Sequence, residues 1–167
     1  MRTHKTAVLA VFGVFALGVL LRLPTFSRPL LSDDEAIYAT TADALNRGGL
    51  LFRDVVDHKP PAVYHVYQAA FAVFGRYQMQ GPHALVILAV LLTAGLLFAI
   101  KRRDASDDAG GTALAAAGLF LIFSTTWHDY DALAANCELF LLPFQAGAAW
   151  MVLGELGGRP AGGARAL

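Results

Sequence analysis

Three consecutive acids, Asp33, Asp34 and Glu35, follow Ser32, and a second polar stretch, DVVDHKPPAVY, runs from Asp54 to Tyr64. Acids at the start of a helix are held ionised by the helix dipole, the state a general base or metal ligand requires. A lysine ahead of two prolines offers different chemistry. Pro60 and Pro61 suit the first turn of a helix, where a missing N–H costs nothing, and the positive end of that helix favours an anion. Lys59 and His58 place donors just ahead of it. Such donors beside an apolar run suit the phosphate of a lipid whose tail lies in a bilayer. Each feature also has a plainer account. Acids complement a helix dipole for about 0.3–1 kcal/mol apiece, and a lysine can snorkel in front of a proline-started helix.

Asp129-Tyr130-Asp131, behind His128, spells D-x-D. Two carboxylates so spaced can hold Mg²⁺ or Mn²⁺, but so short a pattern arises often by chance and no metal is expected there. Cys137 is the single cysteine, which excludes an intrachain disulfide and a cysteine-built metal site. It reads as a small buried residue, and Trp127 and Tyr130 read as interfacial aromatics.

The elements that must position these groups follow from composition. Of 167 residues, 56% are hydrophobic and 16% charged, against about 45–50% and about 25% in soluble domains. The balance is that of a membrane protein. A net charge of zero argues against nucleic acid as a partner. Thr6–Leu23 is apolar behind a basic start, long enough for a span of about 20 residues and lacking a small-residue cleavage site, so it reads as an uncleaved anchor. Four more apolar stretches follow, Pro60–Phe74, Pro82–Ile100, Thr112–Thr126 and Leu139–Leu156. If all cross, Lys101-Arg102-Arg103 falls outside and the acidic turn at Asp129 inside, against the positive-inside tendency. Pro60–Phe74 is short and carries Tyr64, His65, Tyr67 and Gln68, which fits a helix lying in the interface, with His65 and Gln68 on its polar face.

The expectation is an all-α polytopic membrane protein with four spans, about 6–23, 82–100, 110–127 and 138–156, and both termini cytoplasmic. An outer loop, 24–79, holds two interfacial helices, and a glycine-rich tail covers 157–167. The loops 24–79 and 127–137 then share the outer side, where most carboxylates gather. Within the first loop, Ser32 and Glu35 fit a capping box, and Gly48-Gly49 supplies a stop. Ile37, Thr41 and Leu45, with Tyr38 beside them, form a modest apolar stripe.

DDEAIYATTADALNRGG followed by DVVDHKPPAVYHVYQAAFAVFG resembles the first outer loop of the C-type membrane glycosyltransferases, in the protein O-mannosyltransferase-like (family 39) and aminoarabinose-transferase-like branch. AANCELFLLPF, Ala134 to Phe144, resembles the start of that family's fourth span, so the likeness covers nearly the whole chain. It implies transfer of a sugar from a polyprenyl-phosphate donor to an acceptor glycan, lipid or protein, usually with inversion, at the outer face of a bacterial inner membrane. The resemblance makes Asp34, with Glu35 after it, the catalytic carboxylate. It sets Lys59 on the donor phosphate, with His58, Asp57, Tyr38 and Tyr64 as further substrate-binding residues. An acid of the second outer loop assists; Asp129, Asp131 and Glu138 compete, with Glu138 best placed relative to Leu139-Phe140. No cofactor is implied.

Members of that family run to several hundred residues with many more spans. The chain is therefore expected to be an incomplete form that transfers no sugar alone and takes a second polypeptide to complete it. A non-catalytic membrane module or subunit of the same descent is the alternative. A small transporter-like protein is a further one, disfavoured because ionisable groups in the spans, Arg22, Glu138 and Glu155, lie near their ends.

Overall fold

The structure, a computed structural model, describes residues 2–103, 108–126 and 131–157. Asp129 with its neighbours 127–130, and residues 158–167 of the tail, lie outside the described residues. The chain is helical. In order come α1 (Arg2–Arg22), a 3₁₀ turn (Leu23–Ser27), α2 (Asp33–Asn46), α3 (Pro61–Phe74), α4 (Gln80–Lys101), α5 (Ala109–Thr126), a short 3₁₀ turn (Asp131–Leu133) and α6 (Cys137–Gly157). Among the described residues there is no strand, and the one β-bridge, Leu51 to Val55, is isolated.

Among the described residues, four helical stretches are long and apolar enough to cross a membrane: Thr6–Ser27, Gln80–Lys101, Ala109–Thr126 and Cys137–Glu155. At 14 residues α3 is not among them. Helix α4 is the central post, packed against α1, α3, α5 and α6, while α2 rests on α3. Small side chains permit the close approaches. Ala113 and Ala117 of α5 and Ala94 of α4 are buried, and a Cβ placed on Gly18 of α1 would lie 2.9 Å from the Leu121 side chain of α5.

The two helices between α1 and α4 follow from their punctuation. Ser32 caps α2, its Oγ accepting the Glu35 N–H at 3.4 Å. The reciprocal half of the capping box is absent, because the Glu35 carboxylate accepts instead from the Leu31 N–H at 2.7 Å. At the other end Gly48 takes a left-handed φ of +87°, and the N–H groups of Gly48 and Gly49 close onto the carbonyls of Leu45 and Ala44 at 3.0 and 2.9 Å. This is a Schellman motif, and a Cβ on Gly49 would sit 2.8 Å from the Ala44 carbonyl oxygen. Pro60 is the N-cap of α3 and Pro61 its first residue.

Of the stripe expected on α2, Tyr38 and Thr41 are buried and Leu45 packs against the core, while Ile37 falls outside it. Ile37 is exposed, and the buried face is Glu35, Tyr38, Ala39, Thr41, Ala42 and Asp43. Two acids on the inner face escaped an apolar-only reading because their partners lie far away in sequence. Tyr38, Tyr64 and Tyr67 are fully enclosed where α2 meets α3, with edge-on ring centroids 5.9 and 5.5 Å from Tyr38, an arrangement favoured by the ring quadrupole.

Candidate functional site

Asp34 faces away from the core at the start of α2. Its Oδ2 accepts from the Tyr38 hydroxyl one turn on, at 3.1 Å, and lies 2.8 Å from Lys59 Nζ. The same ammonium donates to Glu138 Oε1 at 3.4 Å, at the start of α6. Lys59 therefore joins carboxylates from two helices while its own side chain is 18% exposed. The hydrogen bond from Lys59 to Asp34 raises the lysine's pKa against the opposing effect of burial, and the charge on Glu138 adds to it. An ammonium has three donors, so one N–H beyond these two contacts can serve a ligand.

Rigidity comes from the residues around Lys59. Pro60 and Pro61 fix the backbone after it. Tyr64 donates to Asp57 Oδ2 at 2.7 Å and to the Lys59 carbonyl at 3.3 Å, stitching the loop to α3. Burial raises the Tyr64 pKa, and its bond to Asp57 pushes the same way. For Asp57 burial opposes ionisation, but the Tyr64 hydroxyl and the His58 N–H outweigh it and hold the carboxyl below its ordinary value. The His58 ring is exposed, with Nδ1 3.0 Å from Asp57 Oδ1. Burial raises the Tyr38 pKa above all, with Cys137 and Asp34 contributing, so its hydroxyl stays a donor to Asp34. The Val63 N–H turns back onto the Pro60 carbonyl at 3.3 Å, which takes one of the helix-start N–H groups away from an anion.

Below Lys59 begins a groove of about 320 Å³ between α3, α4 and α6. Pro60 and Cys137, the immediate neighbours of Lys59 and Glu138, line it with Val66, Leu88, Phe140 and Phe144. A cation thus sits beside the end of an apolar trough.

Glu35, paired with Asp34 in the sequence, points elsewhere. It is 0% exposed, its Oε1 accepting from the Ala135 N–H at 2.6 Å and lying 3.0 Å from His83 Nε2, while Oε2 takes the Leu31 N–H. Asp131 is exposed at the short 3₁₀ turn, and among the described residues no hydrogen bond or ion pair joins its carboxylate to Lys59 or Asp34. Of the two second-loop acids among the described residues, Asp131 and Glu138, Glu138 is the one brought to Lys59. Among the described residues no three His, Cys, Asp or Glu side chains converge as metal ligands.

Two buried polar clusters were not anticipated. His83 lies in an apolar run, and Asp43 sits between Ala42 and Ala44 on α2. Asp43 is 2% exposed and accepts from Arg76 Nε and Nη2, Arg47 and the Tyr77 hydroxyl, binding the end of α2 to the link before α4. A lone histidine on an apolar stretch was the available signal for the first. The second had only its i, i+4 spacing to Arg47.

The chain matches no protein-family model, no curated protein and no solved structure.

Proposed function

We propose that this chain forms the donor side of a glycosyltransferase that takes a sugar from a polyprenyl phosphate at the outer face of a membrane. The observation that carries the reading is the Lys59 ammonium, 2.8 Å from the Asp34 carboxylate, beside a groove of about 320 Å³ lined by apolar side chains. A lipid phosphate needs that pairing of cation and trough. With the four apolar helices taken as spans, α2 and α3 share one side and the Lys101–Arg103 cluster the other, which the positive-inside tendency makes cytoplasmic.

The chemistry follows from the charges. The acceptor hydroxyl oxygen bonds to the anomeric carbon as the bond from that carbon to the phosphate oxygen breaks. The phosphate leaves with the electron pair, stabilised by Lys59, and the hydroxyl proton passes to Asp34. Asp34 Oδ2 is occupied by Lys59 and Tyr38, which leaves Oδ1 to receive the proton. Glycosyl phosphates have a good leaving group, so positioning and charge stabilisation suffice without a strong general acid. Glu138 holds Lys59 from the α6 side, and Tyr38, Tyr64, Asp57 and His58 shape the phosphate end of the site.

The test is a titration of polyprenyl phosphate into the detergent-solubilised chain, with transfer from a radiolabelled polyprenyl-phosphate sugar assayed in native membranes. Saturable binding that Lys59→Ala weakens supports the reading. Absence of binding, or binding indifferent to Lys59, sinks it.

A further inference from the structure

The transfer chemistry makes no use of Glu35, yet its carboxylate is fully buried and held from three sides. The carboxylate is 0% exposed and His83 1%, and three donors meet its two oxygens at 2.6 to 3.0 Å. A buried carboxylate persists only where its lone pairs are so occupied. The donors come from three separate places. Leu31 precedes α2, His83 belongs to the first turns of α4, and Ala135 precedes α6. Asp34 is the residue before Glu35, and Glu138 follows Ala135 by three positions. One carboxylate thus ties the segment bearing Asp34 to the segment bearing Glu138, with the central helix α4 as the fixed post.

The two acids that grip Lys59 are consequently placed by a third that never meets it. Glu35 is 0% exposed and each of its oxygens already accepts a bond from within the protein, so no acceptor hydroxyl reaches it. We infer that Glu35 is a positioning residue that, through Ala135 and His83, sets the separation of Asp34 and Glu138 across the Lys59 ammonium. The inference rests on the donor-site reading for its consequence in catalysis, but the separation is measurable without that reading.

Substitution chemistry gives the test its contrast. Glutamine at 35 has one acceptor oxygen for three donors and must turn an N–H towards another N–H, whichever way the amide faces. Glutamine at 83 keeps a donor for Glu35; phenylalanine keeps the bulk and loses the donor. The separation is read with Asp34→Cys and Glu138→Cys in a Cys137→Ser background, the full chain being cross-linked in membranes by a short bifunctional thiol reagent. Replacing both acids removes the Lys59 bridge and leaves two polar ties between the segments, the Glu35 strut and the longer bond from Ser32 Oγ to Asn136 Oδ1 at 3.3 Å, which every variant below retains.

Cross-linking should proceed with Glu35 and His83 intact, fall in Glu35→Gln and His83→Phe, and recover in His83→Gln. With Asp34 and Glu138 restored, Glu35→Gln should lower turnover in native membranes about a hundredfold, the scale of a misplaced reacting group. Its affinity for polyprenyl phosphate, held by Lys59, should stay within about threefold. Unchanged cross-linking in Glu35→Gln overturns the inference, as does an affinity loss matching that of Lys59→Ala, which would make Glu35 a donor ligand. If Glu35→Gln does not accumulate, equal cross-linking in His83→Phe and His83→Gln overturns it. Reduced cross-linking with no transfer by any variant, wild type included, retires the glycosyl reading and leaves the positioning role standing.

Discussion

Lys59 Nζ lies 2.8 Å from Asp34 Oδ2 and 3.4 Å from Glu138 Oε1, so one ammonium links α2 to α6. A charge-assisted bond from this lysine to a partly desolvated phosphate contributes about 1.5–3 kcal/mol. Lys59→Ala should therefore weaken polyprenyl-phosphate binding about ten- to a hundredfold. Lys59→Arg should retain much of it, since the charge survives and the geometry shifts. The lysine's pKa is raised, first by Asp34, so the pair's contribution to folding is complete below the ordinary lysine value of about 10.4 and is lost only as pH rises through the higher folded value. Affinity unaltered in Lys59→Ala, measured by titration in detergent, would reduce the lysine to a snorkelling side chain.

Asp34 and Asp33 share a helix start but not a setting. Asp34 meets Lys59 and Tyr38, while Asp33 is exposed and both can complement the α2 dipole. If the dipole were their whole purpose, each would contribute about 0.3–1 kcal/mol and no more. Under the transfer reading Asp34→Asn abolishes sugar transfer in native membranes with expression intact, and Asp33→Asn is mild. Small, equal effects on initial rate would favour the dipole account.

Asp43 anchors the far end of α2, and its pKa tells in acid. The hydrogen bond from Arg76 lowers it most; burial works the other way, and Tyr77 and Arg47 lower it further. A depressed carboxyl stabilises above its unfolded value of about 3.9 and loses that contribution as pH falls through the folded value. Asp43→Asn should melt below wild type at neutral pH, and the gap should close as the pH is taken below about 4. Melting curves with a gap independent of pH would deny the charged clamp. Asp54→Asn, whose carboxylate pairs with its exposed neighbour Arg53, should change melting far less.

The parts readable from the sequence are those governed by local spacing. Ser32 as a cap, Gly48-Gly49 as a stop and Pro60-Pro61 at a helix start each act within one turn, and the structure carries each of them. Span lengths follow from apolar runs. What local spacing could not show is which distant residue answers a buried charge. His83 meets Glu35 across 48 positions and Ala135 meets it across 100. Arg22, read as lying near the end of a span, is wholly buried, with Nη2 donating to the Ser124 carbonyl. For the same reason the sequence left three acids competing beside Lys59; only folding brings Glu138 within reach.

The side assignment can be checked apart from any chemistry. Ser27 closes the turn after α1 and Asp108 precedes α5, so the two lie at opposite ends of apolar helices. In a Cys137→Ser background, Ser27→Cys should react with an impermeant thiol reagent added to intact cells, and Asp108→Cys should react only after permeabilisation. The expectation rests on the distribution of Lys and Arg between the loops. Labelling of position 108 in intact cells would reverse it and remove the outer-face site.

The apolar groove should guide a lipid tail more than bind it. Burying apolar surface from water is worth about 25 cal/mol per Å², but a tail in a bilayer is already in apolar surroundings, so entering the groove gains only packing. Lys59 and the phosphate then set the affinity. In nanodiscs, long- and short-chain polyprenyl phosphates should bind within about tenfold of each other, a smaller spread than the full range expected for Lys59→Ala. The route of the tail still matters to where the sugar lies. Ala62 is exposed and lines the groove three residues after Lys59, whereas Ala72 is exposed on α3 outside it. Ala62→Trp should obstruct the tail and weaken binding of the long-chain phosphate, with little effect from Ala72→Trp. Fluorescence titration of the two variants decides the matter: equal affinities would place the tail elsewhere, and a long chain held more than about a hundredfold tighter than a short one would mean that the groove, not the ammonium, supplies the binding energy.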